Sequence, residues 1–387
     1  MPTATSTSPT AISAEQLKDL IDSGERFTLL DTRDEESFNG WRIADAVQFF
    51  YKPEHEFDLE AFRAETGLDR DDPIVTICAK GKASRFMLEE LADAGFEDVR
   101  YVEDGMRAWS TVYDIVDIET DSTVEIVQLQ RRAKGCLGYL ICDPEAEVAA
   151  AVDPTRHIER FQEVAAERGY EIQRVFDTHI HADHISGGRR LASELDVPYH
   201  LGERVSERSP SFQYEPLERN EVVSVGAVEI KAVFTPGHTS GMASYLVGSE
   251  ALLTGDTVFV DSVGRTELQF GDADADSGAG LLYDSLHGTV LAEPDPVTVL
   301  PGHFTVTDDG KYSVEPGTEA ATTIKALRTE LPALRRDRDA FVGFILENVP
   351  EKPPNYERII ATNRGEETPN DEEAVTLELG PNRCAAE

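Results

Sequence analysis

Five of the nine histidines fall in three short motifs, and each motif follows an apolar run. Asp177-Thr178-His179-Ile180-His181-Ala182-Asp183-His184 follows Ile172 to Phe176. Thr235-Pro236-Gly237-His238-Thr239 follows Val228 to Phe234, and Pro301-Gly302-His303 follows Val297 to Leu300. Gly255-Asp256 adds a carboxylate after Ala251 to Thr254. Runs of this kind predict strands. Four polar motifs at four strand ends constrain the fold, because a sheet must gather them on one rim. Imidazole with carboxylate is the ligand set of zinc, iron or manganese. One such histidine alone is ordinarily a satisfied core or surface residue; four motifs together point to a metal centre. Gly237 and Gly302 allow tight turns that aim the rings after them.

A second chemistry-bearing stretch lies earlier. Pro73 to Ile77 predicts a buried strand. Cys78-Ala79-Lys80-Gly81-Lys82-Ala83-Ser84-Arg85 leads from its end into a helix over Ala83 to Ala94. A helix N-terminus offers unpaired N–H groups and a positive dipole end, which stabilise a thiolate. Cys78 is therefore expected to be acidic and nucleophilic. Lys80, Lys82 and Arg85 predict an anionic substrate, since two of only nine Lys fall in this loop. Without that setting, a cysteine at a strand end is usually an inert core residue.

Strand and helix patterns alternate around this loop, which predicts an α/β domain with a parallel sheet covered on both faces. From Val124 onward the strands come consecutively, and Val222 to Val225 with Val228 to Phe234 predicts a hairpin around Gly226. The expected organisation is a frayed tail (1–10), a first domain (11–115), a linker (116–123), a second domain (124–365) and a polar tail (366–387). The acidic, Gly-rich stretch Gly271 to Gly280 is expected to be a solvated loop.

Two resemblances sharpen these expectations. Asp31-Thr32-Arg33 with Glu36, Phe38, Gly40, Ile43 and Ala46, then the Cys78 loop, then Gly95-Phe96, Val99, Gly105 and Trp109 resemble the rhodanese domain. The resemblance implies that Cys78 carries sulfane sulfur as a persulfide, received from a thiosulfate-like donor. The HxHxDH motif followed by His, Asp and His resembles the metallo-β-lactamase superfamily, which implies an αβ/βα sandwich after the rhodanese-like domain. Within it, resemblance to persulfide dioxygenases implies one Fe(II) per chain held by His179, His238 and Asp256. His181, Asp183, His184 and His303 would then orient substrate or ligands. Resemblance to glyoxalase II implies instead two Zn(II): one on His179, His181 and His238, the other on Asp183, His184 and His303, with Asp256 bridging. Gly264-Arg265-Thr266-Glu267-Leu268, Leu282 to Leu286 and Lys352 to Tyr356 resemble dioxygenase segments, and Arg265 is expected at the carboxylate of a thiol carrier. The implied function is O2-dependent oxidation of a small-molecule thiol persulfide to sulfite. The alternatives are a thioester hydrolase and a sulfur-relay module without metal turnover.

The chain has 387 residues, with 74 acidic and 36 basic side chains and a net charge of −38. Nucleic-acid phosphates and anionic membranes repel such a surface, so neither is an expected partner. No run approaches the roughly 20 apolar residues of a membrane span. Four unpaired-looking cysteines and a polar start imply a reducing cytoplasm. Oligomeric state is left open, a homo-oligomer included. Acid spread along the whole chain, with 27 Arg against nine Lys, predicts a halophilic protein. Folded circular dichroism should fade as salt falls below about 1 M, where the Debye length exceeds roughly 3 Å. A full signal in dilute buffer would contradict this.

Overall fold

The computed structural model describes residues 10–271, 274–349, 351–383 and 385–386. Residues 1–9 of the expected N-terminal tail lie outside it, and Thr10 opens the first strand. Strands β1 (Thr10–Ile12), β2 (Thr28–Asp31), β3 (Val47–Gln48), β4 (Ile74–Ile77) and β5 (Val99–Val102) form an all-parallel sheet in the order β1-β5-β4-β2-β3. Alternation along the strands feeds two cores. Leu29, Val75 and Ile77 pack with Leu17, Met106 and Trp109 on one face. Leu30 and Ile74 pack with Phe62, Met87 and Leu91 on the other.

The rest of the chain builds two facing sheets. The first runs β12-β11-β10-β9-β8-β7-β6 and holds β6 (Tyr113–Ile118), β7 (Glu125–Arg131), β8 (Cys136–Asp143), β9 (Val148–Val152), β10 (Glu171–Phe176), β11 (Tyr199–Gly202) and β12 (Glu215–Leu217). The second runs β13-β14-β15-β16-β18-β19. It holds β13 (Val222–Val225), β14 (Val228–Phe234), β15 (Ala243–Val247), β16 (Ala251–Gly255), β18 (Thr298–Pro301) and β19 (Thr322–Thr323); β17 (Val263–Gly264) pairs separately with β20 (Ala385–Ala386). Ile126, Tyr139, Ile141 and Phe176 meet Ile230, Tyr245, Leu253 and Leu300 between the sheets. Helices Ile158–Glu167 and Gly188–Leu195 cover the outer face of the first sheet. Helices Ala275–Gly288, Ile324–Glu330 and Arg338–Glu347 cover that of the second. The result is the expected αβ/βα sandwich. No helix among the described residues is long and apolar enough to cross a membrane.

Three expectations are corrected. The linker assigned to 116–123 begins inside β6, which pairs antiparallel with β7 from Tyr113↔Arg131 to Ile118↔Ile126. Its own acidic residues Asp117, Glu119 and Asp121 are exposed, whereas Asp114, just before it in β6, is buried against Arg132 (2.7 Å) and Lys18 (3.1 Å). Much of the Gly-rich stretch is helix from Ala275, and Asp272 and Ala273 lie outside the described residues. Its glycines serve close packing: a Cβ on Gly278 would meet the Phe270 ring at 2.7 Å. The C-terminal segment is not a solvated tail either. Asn370 caps the helix Asp371–Leu377, and Glu378 is buried. The Glu378 carboxylate accepts from Arg131 (3.1 Å), Arg156 (2.6 Å) and the backbone N–H of Ile185 (2.8 Å). Glu378→Ala would strand Arg131 in the interior, so denaturant unfolding should show a loss of about 3–5 kcal/mol. A loss under about 1 kcal/mol, the level of an exposed pair, would contradict this.

Candidate metal centre

The four polar motifs leave the ends of β10, β14, β16 and β18, strands of both sheets, and converge on one edge of the sandwich. Gly237 has φ 152°, and a Cβ there would meet the Leu282 backbone at 2.4 Å. Gly302 is needed for close approach, since its Cβ would lie 2.6 Å from Asp256 Oδ1. The turn expected at Gly302 is thus a contact with another ligand-bearing loop.

Donor atoms of His179, His238 and Asp256 lie within 4.8 Å of one another, all buried. Hydrogen bonds behind each ring decide which atom faces inward. His238 Nδ1 is 2.7 Å from the carbonyl oxygen of Arg265, which can only accept. The proton therefore sits on Nδ1, and the lone pair is on Nε2. Thr178 Oγ1 donates to Asp153 Oδ2 (2.9 Å) and accepts from His179 Nδ1 (2.9 Å), which fixes the same tautomer. Asp256 Oδ1 accepts from His303 Nδ1 (2.7 Å), leaving Oδ2 to face the two Nε2 atoms at 3.8 and 3.6 Å. Among the described residues, His179 Nε2 and Asp256 Oδ2 are buried without hydrogen-bond partners. Lone pairs facing one another in a buried space are costly unless a cation lies between them. The residues fit a divalent ion on chemical grounds.

Protonation agrees with that fit. Burial holds His179 and His238 below the usual imidazole range, so both stay neutral with a lone pair available to a cation. Burial pushes the Asp256 carboxyl up, but His303, which donates to Oδ1, outweighs it and holds the group ionised.

The other motif residues are arranged differently. Asp183 Oδ2 accepts from His303 Nε2 (2.7 Å) and from Cys136 Sγ (3.4 Å), and His184 Nδ1 lies 3.1 Å from Asp183 Oδ1. Cys136, Asp183, His184 and His303 form a second group of donors within 4.8 Å. His181 stands between the rings of His179 and His184, at 4.2 and 4.3 Å, and groups with Asp153 and Asp177. Cys136 carries no sequence signal. It reaches the site because Leu137 N–H donates to the Gly302 carbonyl (2.8 Å). Burial raises its thiol, while His184 and His303 pull it down further, to about 7. Asp153 was equally invisible, since its partner Thr178 lies 25 residues away.

Arg265, expected at a substrate carboxylate, is corrected. It is buried, its guanidinium bound to Glu267 and to the carbonyls of Glu351 (3.0 Å) and Arg383 (2.7 Å). Its bearing on the site is the backbone oxygen that aims His238.

Cys78 follows β4 and is buried, with Sγ 3.3 Å from Ser84 Oγ. Gly81 precedes the helix Lys82–Asp93 with φ 78°. The segment Gly105–Trp109 closes the loop from the other side: Met106 N–H donates to the Cys78 carbonyl (2.8 Å) and Arg107 N–H to that of Ala79 (3.2 Å). Lys80, Lys82 and Arg85 line one open hollow of about 690 Å³. Lys80 is bound to Glu372 (2.8 Å) and Arg85 to Glu89 (3.4 Å).

Comparison with known proteins finds two separate family matches along the chain. Residues 13–111 match the rhodanese-like domain, and residues 139–303 match the metallo-beta-lactamase superfamily. A hydroxyacylglutathione hydrolase of Synechococcus is 36% identical over 128 residues, covering 33% of this chain and 50% of the hydrolase. The chain thus spans half the length of that relative. The persulfide dioxygenase ETHE1 of Homo sapiens is 27% identical over 236 residues, covering 60% of this chain and 85% of that protein. The crystal structure of ETHE1 from Myxococcus xanthus superposes with a TM-score of 0.52 at 27% identity, over 62% of this chain and 98% of that one.

Proposed function

From a chain that joins a rhodanese-like domain to a metallo-beta-lactamase superfamily domain, we propose an enzyme of sulfur oxidation in the cytoplasm. Its substrate is the persulfide of a low-molecular-weight thiol. One persulfide, one O2 and one water yield one thiol and one sulfite.

The carrying observation is the division of the seven motif residues. His179, His238 and Asp256 turn donor atoms toward one point, while Asp183 is bound by both His184 and His303; His184 Nε2 and the two nitrogens of His181 are buried without hydrogen-bond partners among the described residues. Two histidines and one carboxylate form the facial set typical of non-haem Fe(II) oxygenases. A ferrous ion there supplies open positions and redox chemistry for oxidising sulfur with O2. The chain's own residues fix the geometry: Thr178 and the Arg265 carbonyl hold the two rings, and His303 stops rotation of the Asp256 carboxylate. In the first domain, Cys78 takes sulfane sulfur from a thiosulfate-like anion drawn to Lys80, Lys82 and Arg85. It passes that sulfur to the thiol, whose persulfide is what the metal centre consumes.

One observation favours a second reading, a binuclear zinc thioester hydrolase: both ring nitrogens of His181 are buried without hydrogen-bond partners among the described residues. Oxygen uptake and sulfite release on glutathione persulfide, measured beside hydrolysis of a glutathione thioester, separate the two. The expected result is O2 consumption matched by sulfite and lost in His238→Ala. Thioester hydrolysis without O2 uptake would overturn the proposal. Cys78→Ser should abolish uptake driven by thiosulfate plus glutathione but spare uptake on preformed persulfide.

A further inference from the structure

The helix Asp371–Leu377 and the residues after it lie against the sulfur-carrying loop of the other domain. Lys80, two residues beyond Cys78, is bound to Glu372 at 2.8 Å. Beneath that pair is a cavity of about 280 Å³, close to the lower end of small-molecule clefts. Trp41, Ala79, Met106 and Arg107 of the first domain form one wall, and Val375 and Leu379 of the C-terminal segment face them. The lining is thus mainly apolar, and Leu379 is exposed, as an apolar side chain at a binding-site rim can be.

Charge in this cavity is unevenly used. Arg33 is bound to Asp31 and to the Trp41 carbonyl, and Arg383 to Asp308 and Glu351. Arg107 is different. It is half-buried, and its guanidinium makes no hydrogen bond or ion pair among the described residues. The acidic group nearest to it in the lining, Glu372, is already bound to Lys80, so a guanidinium with no direct partner at this cavity suits an incoming anion. An occupant suited to these walls offers a carboxylate to Arg107 and aliphatic surface to Trp41, Met106, Val375 and Leu379.

Resting on the proposed function, we propose that this cavity between the domains is the acceptor site: it holds the carboxylate-bearing thiol carrier against the Cys78 loop, with Arg107 on the carboxylate. The carrier's thiolate attacks the outer sulfur of the Cys78 persulfide. A new S–S bond forms to the carrier, the S–S bond to Cys78 breaks, and Cys78 leaves as thiolate with no net oxidation. The carrier persulfide is then released toward the metal domain, whose C-terminal segment forms half of the site. Neither domain alone has the whole cavity.

The test uses the full chain at high salt and S-methylglutathione, whose capped sulfur cannot react. Trp41 lines the cavity, so tryptophan emission reports occupancy. Saturable binding is expected. Arg107→Glu should weaken it by about tenfold or more, as loss of a charge-assisted hydrogen bond does, and Arg107→Lys should recover most of it. Val375→Phe, which fills the cavity, should weaken binding while the circular dichroism stays that of the wild type. Equal affinity in the wild type and Arg107→Glu, or no binding to the wild type, would overturn the acceptor site. This readout needs no metal turnover. Failure of O2 uptake on preformed persulfide would sink the proposed function and leave the binding result standing.

Discussion

The carbonyl oxygen of Arg265 has no proton to give, and it lies 2.7 Å from His238 Nδ1. That one contact decides the tautomer of His238 and hence which nitrogen meets a metal. Thr178, held by Asp153, does the same for His179, and His303 does it for one oxygen of Asp256. Three ligands thus receive their direction from behind. The glycines, the buried arginine and the crossing of two sheets can be read as means of keeping these supports in place.

The C-terminal segment extends the same logic. Glu378 lies between two arginines and also receives the N–H of Ile185, the residue after His184. Asn382 donates to the carbonyls of Lys134 and Phe304, the latter following His303. Glu372 reaches Lys80 in the Cys78 loop. One stretch of chain therefore braces two metal-centre loops and touches the other chemical site. A carboxylate this deeply buried is costly alone, and its charge-assisted bonds offset that cost only when the segment is docked.

The parallel sheet and the seven motif residues are legible in the sequence because each rests on local pattern, while the sandwich is what the resemblance of those motifs to the metallo-β-lactamase superfamily implies. Apolar runs mark strands, and a polar motif after a strand marks a rim. What is illegible depends on distant partners. Cys136 looks like a core cysteine until β8 is set beside Gly302. Asp114 and Glu378 look solvated because acidic residues are everywhere in this chain, and only Arg132, Arg131 and Arg156 reveal them as interior ion pairs. The helix at Ala275 is hidden for a related reason: its glycines suggest a loop, while their role is contact with Phe270 and Arg338. Arg265 shows the opposite error, in which a motif residue matters through its backbone.

His179, His238 and Asp256 are proposed to hold a single ferrous ion, while Asp183 is bound by His184 and His303. Anaerobic Fe(II) titration of the apoprotein by calorimetry, with metal analysis after desalting, tests it directly. The account predicts one iron per chain, lost in His179→Ala and retained in His184→Ala. Two metals per chain, with the second lost in His184→Ala, would contradict it.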